Sequence, residues 1–440
     1  MQTSTLSPVL TPQPAVAPQI HQLANGTTVI ADRAAVPAVS LNAWFQVGSA
    51  WETDALNGMA HFLEHMIFKG TPRLPEGAFE QQVESLGGTV NAATSQEYTH
   101  FYLTTAPQDF AHLAPLQLDL VLNPTIAPDA FERERAVVLE EIRRADDNPG
   151  RRTYQQAMEL CFPSLPYRRP VLGPVTVIEQ LQATQMQTFH RSWYRPETLT
   201  ISVVGDLPIE TLLDTVVEGL HQAEQQHQQE QPQPRPLAQA NPLKAFTPEP
   251  SFATVVRHEK TETRLQQSRL VMMWRVPGLR AREETYALDV LAAILGQGRL
   301  SRLFQELREE RQLVYGVGVS NMTQGIQGVF FVSAQLAAEH LPMVEQCILE
   351  QIQQVQTTSV TAEELARIRT QVANRFVFAN ERPSDRANLY GYYYSQLGNL
   401  AAALDYPDRI RAVTAEEVQS AAQRYLNPEA YGILTVRPET

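Results

Sequence analysis

A tract rich in glutamine and proline divides the chain and limits what it can fold into. Residues 221–250 read HQAEQQHQQEQPQPRPLAQANPLKAFTPEP, a composition typical of a linker, with almost no apolar periodicity. A chain of 440 residues is also too long for one ordinary hydrophobic core. We therefore expect two folded halves, over residues 16–225 and 250–440, joined by a Gln/Pro-rich linker over residues 226–249.

The two halves resemble each other in their residue patterns. Each opens on a strand-like segment, at residues 40–48 and at residues 268–276. Each ends with an amphipathic helix, an aromatic residue (Tyr194 or Tyr425), a Pro-Glu pair and a closing strand. Strands and helices alternate irregularly within each half, which favours α+β layers over a doubly wound parallel sheet. The sequence therefore predicts an α+β fold with a duplicated architecture.

Composition narrows the classes of function. A formal net charge of −13 argues against nucleic acid as the main partner; the acidity would steer basic ligands towards the protein, or it simply keeps the protein soluble. The two cysteines, Cys161 and Cys347, stand far apart, and this usage fits a reducing compartment. The N-terminal residues lack the features of a secretory signal, and no apolar run approaches the length of a membrane span. We expect a cytoplasmic protein without a membrane partner.

One segment carries the spacing of a metal site. Residues 57–70, NGMAHFLEHMIFKG, are predicted to form a helix that ends at Gly70. Its apolar residues recur at helical spacing on one face, and His61, Glu64 and His65 lie on the opposite face. Two imidazoles one turn apart can bind Zn²⁺, and the carboxylate between them can take a proton from water. The alternative is a solvent-facing helix with two incidental histidines.

A catalytic zinc also needs a third protein ligand. Residues 128–145, PDAFERERAVVLEEIRRA, read as a helix in which Glu134 and Glu141 share a stripe with two valines. Carboxylates on an otherwise apolar stripe are costly unless they are paired or bind a metal. For this helix alone, however, a surface stripe with solvated glutamates would be the simpler interpretation.

The segment HFLEHMIFKGT, followed by Glu141 within ERAVVLEE, resembles the pitrilysin-type inverzincin metallopeptidases of family M16. That family includes the mitochondrial processing peptidases and insulin-degrading enzyme, and the resemblance is strongest to its short-chain bacterial and processing-peptidase-like members. It extends from about residue 20 to the C-terminus. It implies two homologous halves, each an antiparallel-rich sheet packed with helices. It further implies His61, His65 and Glu141 as zinc ligands, Glu64 as general base, and Glu134 as the carboxylate that orients the ligands.

Two further segments match the family. Residues 87–105 resemble its edge strand, on which Asn91 and Ala92 would bind an extended substrate, although an ordinary buried strand fits them too. In the second half, Arg308 and Tyr315 follow a glycine-rich turn, and the resemblance implies that they stabilise the oxyanion of the substrate. The second half has no H-x-x-E-H segment of its own, so one zinc per chain is expected.

The implied function is that of a zinc metalloendopeptidase that hydrolyses unfolded peptides inside a chamber formed by dimerisation. We expect a homodimer in which Arg308 and Tyr315 of one chain complete the zinc site of the other; a heterodimer with a related inactive subunit stays open. We do not expect the substrate selectivity of the mitochondrial processing peptidases. Those enzymes recognise a basic substrate residue through acidic side chains, and the corresponding positions here fall near Arg151 and Gln155. The alternative function is that of a non-catalytic structural or peptide-binding subunit with the same fold.

Overall fold

The computed structural model describes residues 17–230 and 241–439. The strands of the first half are β1 (Gln19–Gln22), β2 (Thr28–Arg33), β3 (Val39–Phe45), β4 (Thr89–Thr94), β5 (Thr99–Thr105) and β6 (Leu199–Gly205). Its helices are α1 (Met59–Ile67), α2 (Ala78–Ser85), α3 (Pro107–Leu122), α4 (Pro128–Asp147), α5 (Pro149–Cys161), α6 (Val175–Ile178), α7 (Ala183–Trp193) and α8 (Ile209–Glu230).

The second half contains five strands within the described residues, and a π-helix at Phe304–Glu310. The strands are β7 (Val256–Glu262), β8 (Ser268–Pro277), β9 (Val314–Met322), β10 (Gln327–Leu336) and β11 (Gly432–Pro438). The α-helices are α9 (Thr285–Gly296), α10 (Leu341–Thr357), α11 (Ala362–Phe378), α12 (Pro383–Leu397), α13 (Ala401–Ala412) and α14 (Ala415–Tyr425).

The two sheets have the same topology. The first has the strand order β1-β2-β6-β3-β5-β4, and the second has the order β7-β11-β8-β10-β9. When β1 is set aside, the strands correspond one to one, and each sheet has one parallel pair, β2 with β6 and β7 with β11. The remaining pairs are antiparallel. The predicted α+β fold of two homologous, antiparallel-rich halves is thus confirmed.

The first half extends further than its composition indicates. Helix α8 continues to Glu230, so residues 226–230 of the expected linker are helical. Its residues Leu212, Val216 and Leu220 recur every four positions and are buried, which is the pattern of a helix packed on a core. Residues 231–240 of the expected linker lie outside the described residues. No helix in the described ranges is both long and apolar enough to cross a bilayer.

Each half is completed by a helix of the other. Helix α5 of the first half packs on β8 and β11, and helix α12 of the second half packs on β3 and β6. The Ser202 hydroxyl donates to the Ala387 carbonyl at 2.6 Å, and the Arg275 guanidinium donates through Nε to the Cys161 carbonyl at 2.7 Å. Gly391 lets α12 approach closely, because a Cβ at that position would lie 2.0 Å from the indole nitrogen of Trp44.

Two hairpin turns also meet across the halves. The buried Glu97, in the turn between β4 and β5, accepts hydrogen bonds from the Tyr167 hydroxyl (2.7 Å) and from the Gly325 N–H (2.8 Å). Gly325 belongs to the turn between β9 and β10, and the next residue, Ile326, donates its N–H to the Tyr167 hydroxyl at 2.8 Å. Because these groups are buried, the bonds fix the two sheets relative to each other.

Aromatic rings fill the space between α12 and the first sheet. His100 on β5 stacks on Trp44 with ring centroids 4.1 Å apart and on Tyr102 at 5.5 Å. Its Nδ1 atom is buried and has no hydrogen-bond partner within the described parts of the chain. Burial lowers the pKa of His100 to about 4. The folded protein therefore holds this imidazole in its neutral form at neutral pH.

We predict that replacing His100 with Phe makes the protein less sensitive to acid. The pKa of His100 is depressed from 6.5 to about 4, so its contribution to stability is present above pH 6.5 and is lost as the pH falls towards 4. The native protein should lose up to about 3 kcal/mol of unfolding free energy through this group, and His100→Phe should not. Urea unfolding across this pH range, with EDTA throughout, measures the difference. The exposed His112→Gln serves as control; equal slopes for His100→Phe and the native protein would contradict the prediction.

Candidate metal centre

Helix α1 is almost wholly buried. Its apolar face packs into the core of the first half through Met59, Phe62, Leu63, Met66 and Ile67. His61 is only 7% exposed, whereas Glu64 and His65 are partly exposed. The predicted apolar face is therefore present, but the opposite face is not a solvent-facing surface. The side chains of His61, Glu64 and His65 face a site that is largely enclosed by the protein.

The buried carboxylate of Glu52 holds the N-terminus of α1. Its Oε2 accepts from the Gly58 N–H (2.7 Å) and from Asn57 Nδ2 (2.9 Å), and its Oε1 accepts from the Ala60 N–H (2.7 Å). Burial raises the pKa of Glu52 to about 7, although these hydrogen bonds act in the opposite direction. The carboxylate satisfies N–H groups that a helix start leaves unpaired. Sequence analysis missed Glu52, since it stands outside the usual capping positions.

Helix α4 brings Glu141 to the two histidines. One oxygen, Glu141 Oε2, lies 3.5 Å from His61 Nε2 and 3.4 Å from His65 Nε2. The two imidazole rings are 4.8 Å apart between centroids and nearly perpendicular, at 68°. The ligand atoms of the three residues all lie within 4.8 Å of one another. The structure therefore brings together the three residues that the sequence predicts as zinc ligands.

The geometry and charge of this group fit a zinc ion. With Zn–N and Zn–O bonds of about 2.0–2.1 Å, tetrahedral ligand atoms lie about 3.3 Å apart, close to the observed separations. Glu64, Glu134 and Glu141 carry three negative charges when ionised, and Lys69 carries one positive charge. When both imidazoles are neutral, the net negative charge of these groups is balanced by one divalent cation. Two imidazoles and one carboxylate favour zinc over hard cations such as Mg²⁺.

Glu134 fixes the orientation of His65. Its Oε1 accepts from His65 Nδ1 at 2.9 Å, and its Oε2 accepts from Lys69 Nζ at 2.7 Å. Burial would raise the pKa of Glu134, but the bonds from His65 and Lys69 hold it below its usual range. With Nδ1–H donated to Glu134, Nε2 of the neutral ring is free to face the metal position. Lys69 was missed by sequence analysis; it lies two residues beyond the end of α1 at Ile67.

The two histidines have opposite pKa shifts. Burial lowers the pKa of His61 to about 4, and the charge of His65 acts in the same direction. Burial would also lower the pKa of His65, but bonds to Glu134 and Glu141 raise it to about 9. The hydrogen bond from His65 keeps the pKa of Glu141 low. The carboxylates thus create a site that attracts positive charge, whether a proton or a metal ion.

Glu64 points to the edge strand of the first sheet. Its Oε2 accepts from the Thr94 hydroxyl on β4 at 2.5 Å, and burial raises the pKa of Glu64. Strand β4 pairs only with β5, so its other edge is unpaired within the described sheet. Asn91 and Ala92 belong to this strand, and the Ala92 N–H donates to Asn91 Oδ1 at 2.8 Å. The predicted general base and the predicted substrate strand are therefore in contact. Sequence analysis did not identify Thr94.

Arg308 and Tyr315 lie apart from this group. Arg308 is on the π-helix, exposed, with its guanidinium 4.9 Å from the centre of the Phe304 ring. The Tyr315 side chain, near the start of β9, is 57% exposed. Across residues 17–230 and 241–439, no hydrogen bond or ion pair joins either of them to α1 or α4. The structure does not bring them to the zinc-ligand candidates of their own chain.

A second cluster of possible ligands is explained by an arginine. Glu306, Cys347 and Glu350 have ligand atoms close together. Arg311 Nη1 lies 2.7 Å from Cys347 Sγ and 3.2 Å from Glu306 Oε1, so a guanidinium already supplies the positive charge. Both cysteines, Cys161 and Cys347, are buried and unpaired. We assign no metal to this cluster.

Comparisons with known proteins agree with this geometry. Residues 27–175 match the family model described as insulinase (peptidase family M16), and residues 180–372 match the model described as peptidase M16 inactive domain. A protein of Mycobacterium bovis named as an uncharacterized zinc protease is 30% identical over 428 residues, covering 97% of this chain and 94% of the relative. A Rickettsia bellii protein of the same name is 27% identical over 415 residues, covering 93% and 95%.

Solved structures share the fold. The crystal structure of a protease from Helicobacter pylori superposes with a TM-score of 0.86 at 23% identity, covering 96% of this chain and all of that one. A structure from Pseudomonas fluorescens, described as a peptidase M16 inactive domain, has a TM-score of 0.83 at 22% identity, covering 97% and 98%.

We predict that Glu134→Gln weakens zinc binding by about 10–100-fold, because His65 loses the charged acceptor that fixes its ring. Competition for Zn²⁺ with a chromophoric chelator measures the affinity. Glu140→Gln is the matched control: it removes the same charge from an exposed position on α4, where Glu140 forms ion pairs with Arg143 and Arg144. Equal affinities for the two variants would argue against the orienting role of Glu134.

Proposed function

This chain belongs to the M16 peptidase family, and from that premise we propose that it is a zinc-dependent endopeptidase that hydrolyses unfolded peptides. The observation that carries the proposal is the convergence of His61 Nε2 and His65 Nε2 on one oxygen of Glu141, with Glu64 beside them and in contact with an open strand edge. The proposed zinc ligands are His61, His65 and Glu141.

The chain's own residues supply the proton transfers. When bound, zinc supplies the Lewis-acid chemistry that polarises a peptide carbonyl and makes water more acidic. Thr94 holds Oε2 of Glu64, which leaves Oε1 to take a proton from the attacking water. As the C–N bond breaks, Glu64 returns that proton to the leaving amine. Glu134 keeps His65 in the tautomer and orientation that ligand binding requires.

The substrate is proposed to bind as an additional strand along β4. An extended peptide can hydrogen-bond to the open edge of that strand near Asn91 and Ala92. Since Thr94 of the same strand contacts Glu64, a peptide bond aligned there lies next to the general base. Strand addition needs a peptide backbone whose own hydrogen bonds are free. This requirement supports unfolded peptides, rather than folded proteins, as substrates.

One zinc per chain follows from the difference between α1 and its counterpart α9. Helix α9 has the sequence TYALDVLAAILG, and Asp289 is its only ionisable carboxylate. That carboxylate accepts hydrogen bonds from Asn321 Nδ2 at 2.8 Å and from the Tyr406 hydroxyl at 2.8 Å. It has no histidine beside it within the helix. We therefore propose a metal site in the first half alone.

A homodimer is proposed to complete the site. Arg308 and Tyr315 are exposed and do not contact the zinc-ligand candidates of their own chain. A second copy that places its Arg308 and Tyr315 over the metal site would supply a cation and a hydroxyl for the oxyanion. A closed arrangement of two copies would also enclose the peptide in a chamber. A related inactive chain in place of the second copy is the alternative.

We predict that Glu64→Gln lowers the rate of peptide cleavage by about 10²–10⁴-fold while the zinc content stays at one ion per chain, because a non-ligand general base is removed. Cleavage of a mixed library of unfolded peptides, with mass spectrometry of the products and metal analysis of both proteins, gives the result. Glu140→Gln is the control that should stay active. Cleavage by Glu64→Gln at the native rate would exclude Glu64 as the base.

We predict that two variants, each inactive alone, regain peptidase activity when they form a mixed dimer. Co-expressed Glu64→Gln and Arg308→Ala chains should recover roughly one quarter of native activity, because half of the randomly assembled dimers are mixed and each holds one intact site. The control pairs Glu64→Gln with the double variant Glu64→Gln/Arg308→Ala, which can form no intact site. Activity that stays absent in the test pair, with dimers present by light scattering, would count against sharing of the site.

A further inference from the structure

An open cleft lies between α5 and the second sheet. Its volume is about 430 Å³, and it is lined on one side by Gly150 and Tyr154 of α5 and on the other by strands β8, β9 and β10. Its floor is formed by residues that pair across these three strands. One such row consists of Arg269, Gln335 and Gly316, and the neighbouring row, nearer the sheet centre, consists of Val271, Ser333 and Gly318. A space of this size can hold several residues of a peptide or a small ligand.

Two glycines keep the cleft open at the sheet edge. A Cβ added at Gly316 would meet nothing within 4 Å, and one added at Gly318 would meet only the Ser333 hydroxyl at 3.9 Å. Neither residue has a positive φ, so the backbone conformation does not require glycine at these positions. The glycines therefore leave space in front of β9, whose outer edge is unpaired within the described sheet.

Arg269 is the only charged residue that lines the cleft in the described part of the chain. Its Nε is buried without a hydrogen-bond partner, and no carboxylate forms an ion pair with it there. Three other arginines of these segments, by contrast, each have a carboxylate partner: Arg152 has Glu262, Arg264 has Asp147, and Arg275 has Glu249. A guanidinium with an unsatisfied buried N–H, in a cleft without acidic residues, is a site for an anion.

The cleft lies near the candidate metal centre. Glu141 is six residues before the end of α4, about 9 Å along the helix at 1.5 Å per residue, and α5 follows at Pro149. Tyr154 at the cleft interacts with Gln96 in the turn that ends β4. The contact between Tyr154 and Gln96 therefore places the cleft next to the end of β4, and a peptide bound along β4 can extend into it.

Resting on the proposed peptidase function, we propose that this cleft binds a carboxylate of the substrate peptide through Arg269. The carboxylate is either the C-terminus of the peptide or an acidic side chain; both present the planar oxygen pair that a guanidinium binds in two parallel hydrogen bonds. Ser333 and Gln335 offer hydrogen-bond partners to the adjoining backbone. The cleft then acts as a second anchor that selects peptides by the distance between their carboxylate and the cleaved bond.

The test measures binding without cleavage. The zinc-loaded Glu64→Gln protein is titrated into fluorescein-labelled neutral peptides of about twelve residues that differ in one group, and fluorescence anisotropy gives each Kd. The set contains a C-terminal amide, a free C-terminal carboxylate, and amidated peptides with a single Asp at successive positions. We expect one carboxylate to tighten binding by about 10–100-fold, as for a charge-assisted hydrogen bond. The position of the favoured carboxylate distinguishes the C-terminus from an acidic side chain.

Two variants in the same background locate the effect. Adding Arg269→Met should abolish the preference for the carboxylate, and Gly316→Leu, which fills the cleft but keeps Arg269, should abolish it too. Arg437→Met is the matched control: it removes an arginine from an exposed position on β11 and should keep the preference. Circular dichroism and thermal unfolding establish that each variant is folded.

Equal binding of all the peptides, or a preference that persists in both Arg269→Met and Gly316→Leu, would overturn the inference. These outcomes are separate from failure of the peptidase function, which is measured by cleavage with the native protein. If the native protein cuts peptides without any preference, the peptidase stands and the cleft has no such role. If it cuts none, and Glu64→Gln still binds the carboxylate through Arg269, the cleft stands as a peptide-binding site alone.

Discussion

The exchange of one helix between the two halves is the contact on which the rest of the molecule depends. With α5 lying on the second sheet and α12 on the first, neither half contains a complete core of its own. The first core accordingly includes Met273 and Leu434 of the second half. Because α4 and α5 are separated by a single residue, Asn148, the position of Glu141 is tied to the second sheet as well as to α1. The bonds of Glu97 to Tyr167 and Gly325 reinforce the same arrangement.

Opposing charge effects decide the chemistry where α1 meets α4. Burial disfavours ionised carboxylates, but Glu134 stays ionised because it pairs with both His65 and Lys69. Glu141 has weaker partners, since the imidazole nitrogens of His65 and His61 lie 3.4 and 3.5 Å from its Oε2. Hydrogen bonds of this length are weak, whereas two imidazole nitrogens and one carboxylate oxygen at these separations match the ligand spacing of a tetrahedral metal site. Geometry therefore supports a metal more strongly than it supports a simple ion pair.

The sequence predicts some of these features and not others, for physical reasons. Helix α1 follows from local periodicity, and Glu141, which the resemblance implies as a zinc ligand, lies 3.4–3.5 Å from the two histidines. Glu52 and Thr94 could not be found, because their contacts with α1 arise only when distant segments pack. The composition of residues 226–230 indicated a linker, although glutamine is a good helix former and α8 continues through these residues. For these residues, the polar composition indicates solubility and does not by itself exclude a helix.

The two halves differ in the side chains that they carry, although their strand orders correspond. On the first sheet, the face beneath the exchanged helix carries the rings of Trp44, His100 and Tyr102, which stack on one another. On the second sheet, the corresponding face carries Gly318, Ser333 and other small residues, and a cleft remains. Strand order and the position of the exchanged helix correspond in the two halves, so the difference lies in the side chains on this face. The two edge strands, β4 and β9, are likewise equivalent by topology. Within the described residues, β4 contacts a helix with histidines and glutamates through Thr94 and Glu64, whereas α9 carries no histidine, so the candidate metal centre lies in the first half.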